Sequence, residues 1–145
     1  MSLDSVAEIE LVDDHFCFAC GSDNKEGLDV RWTVEGKTTH TEFIPKRKFQ
    51  GWKGIVHGGI VATLLDEAMT RLAWIACGGA LTAEMNVRYL EPAKIGEKLF
   101  VIGEITHENR RLVEMRACVY KGKKGGPLIA RSTGKAVKIG PNGPS

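Results

Sequence analysis

A histidine, two glycines and a carboxylate carry the chemical interest of this chain: His57, Gly58, Gly59 and, nine residues after the histidine, Asp66. Glycines remove side-chain bulk, so another molecule can approach the backbone N–H groups closely. If a helix starts here, its first N–H groups lack intrahelical acceptors and lie at its positive end. Such a start can hold a developing oxyanion. A carboxylate two turns further on can take a proton from water or attack a carbonyl itself. The residue types leave both routes open.

That chemistry requires a helix, and the pattern supplies one. Ile60, Leu64, Ala68, Leu72 and, beside them, Val61 and Leu65 recur at the three-to-four spacing of a helical stripe. The spacing predicts a helix over 57–76 whose apolar arc exceeds half its circumference. Thr63, Glu67, Thr70, Arg71 and Trp74 gather on a narrow opposite strip. A helix with so little polar surface is expected to be wrapped by protein on most sides. Asp66 falls at the edge of the arc, beside the small residues Ala62 and Ala73. Glu67 lies one turn before Arg71, a spacing that predicts an ordinary ion pair on the outer strip.

The remaining segments read as strands and turns. Alternation from 28 to 34 and again from 38 to 44 predicts two strands around the turn Glu35-Gly36-Lys37. After the Gly78-Gly79 stop, four more are expected at 81–90, 98–106, 111–121 and 127–138, in a meander. Two strands, one long helix and four strands give an α+β protein, with one sheet curled around most of the helix. The uncovered side calls for a second copy of the chain. The expected organisation is a lead-in over 1–27 with a Cys-x-x-Cys turn, a domain over 28–138 and a loose tail over 139–145. Trp52 and Trp74 are candidates for pocket lining or for core.

Composition narrows the function further. The 145 residues are 43% hydrophobic and 26% charged, with a net charge of +2, as expected of a globular domain. Residues 1–35 carry nine acids and two bases, whereas residues 94–138 carry eleven bases and four acids. The basic half points to a polyanionic ligand near Arg110, Arg111, Lys121 and Lys123. No aromatic cluster interleaves these bases, so nucleic acid is not the expected partner. No apolar run has the roughly 20 residues needed to cross a bilayer, so no membrane partner is expected. The acidic opening lacks the features of a signal peptide, and a cytoplasmic protein is expected. His15, Cys17 and Cys20 are metal-ligand types, but no second cysteine pair follows at finger spacing. A turn with buried thiols, and no metal, is the expectation there.

The words of the sequence go beyond its pattern. His57-Gly58-Gly59 with Asp66, followed by Thr82-Ala83-Glu84-Met85-Asn86-Val87-Arg88-Tyr89-Leu90-Glu91-Pro92, resembles the hotdog-fold acyl-CoA thioesterases of the phenylacetate-degradation and 4-hydroxybenzoyl-CoA branch. The resemblance covers about residues 28–138. It implies a curved antiparallel sheet of about six strands around one central helix. It also implies a homodimer, in some members a dimer of dimers, with active sites shared between subunits and no cofactor. By position, Asp66 matches the catalytic carboxylate, Gly58 the oxyanion donor, His57 the helix-start histidine and Thr82 the serine or threonine brought in from the other side of the site. Gly59 falls in the substrate-binding turn. Gln50 stands where many members have Asn, a departure that lengthens the side chain. His57 is expected to be a structural hydrogen bonder rather than a base.

The reading is thus an acyl-CoA thioesterase. Its rivals are a non-catalytic acyl-CoA-binding module and a hydratase or dehydratase of the same fold. Fold alone does not separate them.

Overall fold

The apolar stripe becomes a single 20-residue helix, α1 (Gly58–Cys77). In the computed structural model, which describes residues 10–139, six strands accompany it: β1 (Thr33–Glu35), β2 (Thr38–Phe43), β3 (Ala80–Tyr89), β4 (Leu99–Glu108), β5 (Leu112–Lys121) and β6 (Leu128–Lys138). They form one antiparallel sheet in the order β1-β2-β4-β5-β6-β3. One long helix against a curved six-stranded sheet is the expected α+β hotdog architecture.

Helix and sheet meet through a close-packed face. Leu64, Leu65, Ala68, Met69 and Ala73 of α1 are buried against Leu99, Val101, Val113, Met115 and Ala136 of the strands. Truncating one of these leucines to Ala should cost about 2–5 kcal/mol through the lost transfer energy and the cavity left behind. The approach is close enough to dictate a glycine. A Cβ on Gly103 of β4 would lie 2.6 Å from the Ala68 carbonyl oxygen. The helix ends where the glycine pair predicts, with Gly78 at φ 74° and its N–H on the Trp74 carbonyl at 2.8 Å.

The structure corrects several expectations. The strand expected over 28–34 shrinks to Thr33–Glu35. Asp29 has φ 53°, and the N–H groups of Leu28 and Val30 go to the carbonyls of Phe18 and Ala19, both at 2.9 Å. Those residues bind the cysteine loop rather than a neighbouring strand. The four-strand meander is also revised. Only β4, β5 and β6 follow one another in the sheet. The helical crossing delivers β3 to the far edge beside β6, and β4 pairs with β2 instead. Neither tryptophan is core, with Trp52 84% and Trp74 40% exposed. The lead-in before residue 10 and the tail from residue 140 lie outside the described residues. No helix among the described residues is long and apolar enough to cross a membrane.

Strand β3 has one paired side and one open side, because it is the last strand of the sheet. It also contains an irregularity. Thr82 lies opposite Ala136 and Glu84 opposite Lys135, so Ala83 is one residue too many. Ala83 and Glu84 are consequently both exposed, while Met85 and Val87 turn back to the core. Such a bulge shifts the alternation of side chains by one residue.

Candidate active site

The start of α1 is built from a loop that folds back on itself. The His57 N–H bonds the Phe49 carbonyl at 2.9 Å. Its ring Nδ1 accepts the Gly59 N–H at 2.9 Å, so His57 is the N-cap of the helix. This is the structural role expected for it. An accepting Nδ1 carries no proton, which places the proton of the neutral ring on Nε2. Gly59, read as substrate-binding, has its N–H committed to that cap. Gly58 differs, because its N–H meets no acceptor among the described residues. It stays a free donor at the positive end of a 20-residue helix.

Two neighbours frame this donor. Gln50 Oε1 accepts the Gly54 N–H at 2.8 Å, so its carbonyl closes the loop and only its amide nitrogen is left to donate. Tyr89 Oη donates to the Gly58 carbonyl at 2.9 Å. Beside them opens a cleft of about 800 Å³ lined by Trp52, His57, Gly58, Tyr89, Pro92 and others. Tyr89 was not among the sequence candidates. It lies seven residues after Thr82, which in a regular strand puts the two on opposite faces. The bulge at Ala83 cancels that difference, and both face the helix.

Asp66 lies elsewhere on α1. Thr82 Oγ1 donates to its Oδ1 at 2.7 Å. Both residues are half-buried. The Asp66 carbonyl accepts a separate bond from Thr70 Oγ1 at 2.9 Å. Eight residues separate Asp66 from Gly58, or about 12 Å along a helix at 1.5 Å per residue. The carboxylate and the free N–H of one chain therefore cannot reach the same carbonyl.

The basic candidates separate as well. Arg110 and Arg111 sit in the β4–β5 turn, where Asn109 Oδ1 accepts the Arg111 and Leu112 N–H groups at 2.8 Å. Lys121 and Lys123 lie at the other end of β5, and Lys121 pairs with Glu97 at 3.4 Å. The ten residues of β5 set the two groups roughly 30 Å apart.

The strip that carries Glu67 is not open to solvent at that residue. The cysteine loop covers it, and Cys17 Sγ donates to Glu67 Oε1 at 3.8 Å. Among the described residues no ion pair joins Glu67 to Arg71. Burial pushes the Glu67 carboxyl up, against the opposing pull of Arg71. Burial, with the Glu67 charge next, pushes the Cys20 thiol up to about 12. Burial raises Cys77 as well.

Comparison with known proteins now decides the family. The profile described as the thioesterase superfamily matches residues 53–127, more than half of the chain. The chain belongs to the thioesterase superfamily. Acyl-coenzyme A thioesterase 13 of Mus musculus is 34% identical over 80 residues, covering 54% of this chain and 56% of that protein. The chain spans about half the length of the curated relatives it matches. Among solved structures, zebra fish thioesterase superfamily member 2 superposes with a TM-score of 0.72 at 21% identity, covering 94% of this chain and 98% of that one. A hypothetical thioesterase from Streptococcus pneumoniae, solved with coenzyme A, gives a TM-score of 0.67 at 20% identity, covering 74% and 86%. These superfamily structures share the fold of the chain.

Proposed function

We propose that the chain hydrolyses acyl-coenzyme A thioesters as a homodimer, with each active site built from two subunits. One observation carries this reading: a carboxylate held by Thr82 and a free helix-start N–H lie on one helix but about 12 Å apart. A twofold partner resolves the separation. If the open edges of two β3 strands pair antiparallel about Met85, Thr82 comes opposite the Arg88–Tyr89 region of the partner. Paired strands are about 4.8 Å apart. Asp66 then faces Gly58 of the partner subunit. The fit of one open edge against its own copy supports the assembly, and pairing two such dimers back to back would give a tetramer.

In that site the Gly58 N–H of the partner subunit receives the thioester oxygen as negative charge develops on it. Thr82 occupies Asp66 Oδ1, which leaves Oδ2 for the reaction. Asp66 takes a proton from water as the water oxygen attacks the carbonyl carbon, and the C–S bond breaks as the tetrahedral intermediate collapses. In the alternative route Oδ2 attacks directly, giving an anhydride that water then opens. Both give one acid and one thiol per water consumed. A thiol has a pKa near 8.5, so its thiolate leaves without a strong general acid. The donor capacity left on Gln50 suits a water or the acyl carbonyl.

The phosphates of coenzyme A require cations at the rim. Arg110 and Arg111 lie at the Asp66 end of the sheet, and Lys121 and Lys123 at the Gly58 end. A shared site would draw one set from each subunit. A substrate with that carrier also accords with the S. pneumoniae neighbour solved with coenzyme A. Four free cysteines suit a reducing compartment such as the cytoplasm.

Thiol release from a panel of short, long and aryl acyl-CoAs tests the reading, with sedimentation to give the assembly state. Turnover of at least one thioester by a dimer or larger assembly is expected. Binding of acyl-CoA without thiol release would replace the enzyme by a binding module. Activity in a monomer would remove the shared site.

A further inference from the structure

We propose that Cys17, Cys20 and Glu67 form a binding site for a thiophilic divalent cation of the zinc class, separate from the site of thioester chemistry. The two thiols and the carboxylate each offer one donor atom, and these atoms all lie within 4.8 Å of one another. Cys17 Sγ and Glu67 Oε1 are 3.8 Å apart. Tetrahedral zinc has Zn–S bonds of about 2.3 Å and Zn–O bonds of about 2.0–2.2 Å, which puts neighbouring donors roughly 3.5–3.8 Å apart. The three donors need only small adjustments to meet one ion.

The loop is shaped to hold this arrangement. The Gly21 N–H turns back to the Cys17 carbonyl at 2.9 Å. A Cβ on Gly21 would stand 2.3 Å from the Cys17 nitrogen, so a larger residue cannot take the turn. That turn puts both sulfurs on one side. The Asp23 N–H bonds the His15 carbonyl, and the Leu28 and Val30 N–H groups bond the Phe18 and Ala19 carbonyls, all at 2.9 Å. The knuckle is thereby fixed to the chain that leads into the sheet and laid over α1. Hydrogen bonds within the loop would keep its shape without bringing a third donor to the thiols. Glu67 arrives from a different element.

Arg71 acts on the donor set only from a distance, without a direct ion pair. Glu67 is half-buried, and among the described residues no lysine or arginine forms an ion pair with it. Two thiols and a carboxyl gathered out of water are costly to ionise without a cation. A divalent ion takes all three as anions and releases their protons to solvent. The fourth position faces an open cleft of about 530 Å³ that includes Asp14, Thr70, Arg71 and Trp74, with room for a water ligand. Asp13 and Asp14 each spend one carboxylate oxygen on a loop N–H, those of His15 and Phe16. His15, the sequence candidate, is exposed and outside the cluster. Glu67, not His15, is the third donor.

Full-length protein purified under reducing conditions would be titrated with Zn²⁺ against a chromophoric chelator, and with Co²⁺ for thiolate-to-cobalt charge-transfer absorption. One ion per chain is expected, with the absorption of two thiolates. Loss of even an outer-shell partner weakens metal sites about 10–100-fold, so Glu67→Gln should weaken zinc by roughly 100-fold or more. It should keep the two-thiolate absorption when cobalt is in excess. Cys17→Ser and Cys20→Ser should each halve that absorption, with circular dichroism confirming the fold. His15→Ala should leave zinc affinity as in the wild type. Three results would overturn the site: no zinc uptake by the reduced wild type at micromolar ion, air oxidation to a Cys17–Cys20 disulfide with no competing metal, or equal losses from His15→Ala and Glu67→Gln.

Discussion

Asp66 and Glu67 are adjacent on one helix yet belong to different regions of the molecule. They point about 100° apart. Asp66 looks toward β3, where a strand hydroxyl holds one of its oxygens and leaves the other free. Glu67 looks under the cysteine loop, where thiols are its partners. The side chains are nearly the same, so the covering element sets the role. A strand at the open edge of the sheet brings a hydroxyl to one carboxylate, and a knuckle of chain brings a thiol to the other; the proposed substrate and metal chemistry follow that division.

Replacing each carboxylate by its amide is the sharpest way to break this comparison. Asp66→Asn keeps size and most hydrogen bonds but loses basicity and charge, so kcat should fall by about 10²–10⁴-fold. Circular dichroism should show an unchanged fold. Glu67→Gln should lower kcat far less. Should Glu67→Gln be the inactive variant and Asp66→Asn the active one, the two roles are exchanged.

The support of Asp66 gives the next effect. A hydrogen bond to a charged group contributes about 1.5–3 kcal/mol. Thr82→Val should therefore reduce kcat by roughly 10–100-fold, with little change in KM. Steady-state kinetics with the best substrate would check it, and an unaltered kcat would reduce Thr82 to a strand residue. Tyr89→Phe removes the donor to the Gly58 carbonyl at the other end of the helix. It should cost about 0.5–1.5 kcal/mol of stability, read as a lowered denaturant midpoint. The smallest effect is expected at the rim. Arg110→Ala with Arg111→Ala should raise KM a few-fold at low salt and less at high salt, because surface charges are screened within about 8–10 Å. If KM is insensitive there but rises in Lys121→Ala with Lys123→Ala, the phosphates lie at the Gly58 end.

Much of the fold was readable because periodicity is local. The helix of α1 and the spans of β3 to β6 follow from apolar spacing and from glycine and proline breaks. The order of strands in the sheet was not readable, since the placement of β3 beside β6 depends on pairings far apart in the sequence. Asp66 became a candidate through its spacing from the helix start, and Thr82 through the words of the sequence alone. Tyr89 escaped because its face depends on one extra residue in β3. The surroundings of Glu67 escaped because its partners lie about fifty residues earlier. The i,i+4 rule described Glu67 on an isolated helix, and here a loop covers that strip.

The extra residue in β3 has a further consequence for how this chain can change. Ala83 acts as a phase shifter between two stretches of one strand. Deleting it would leave composition, hydropathy and the buried helix face almost untouched. Yet the residues on one side of the deletion would rotate outward, carrying away either the Thr82 hydroxyl or the Tyr89 ring. In the proposed twofold assembly that single step would disable both proposed sites together. For the proposed shared site, substitution keeps the phase of this strand, whereas a change in its length would part Thr82 from Tyr89.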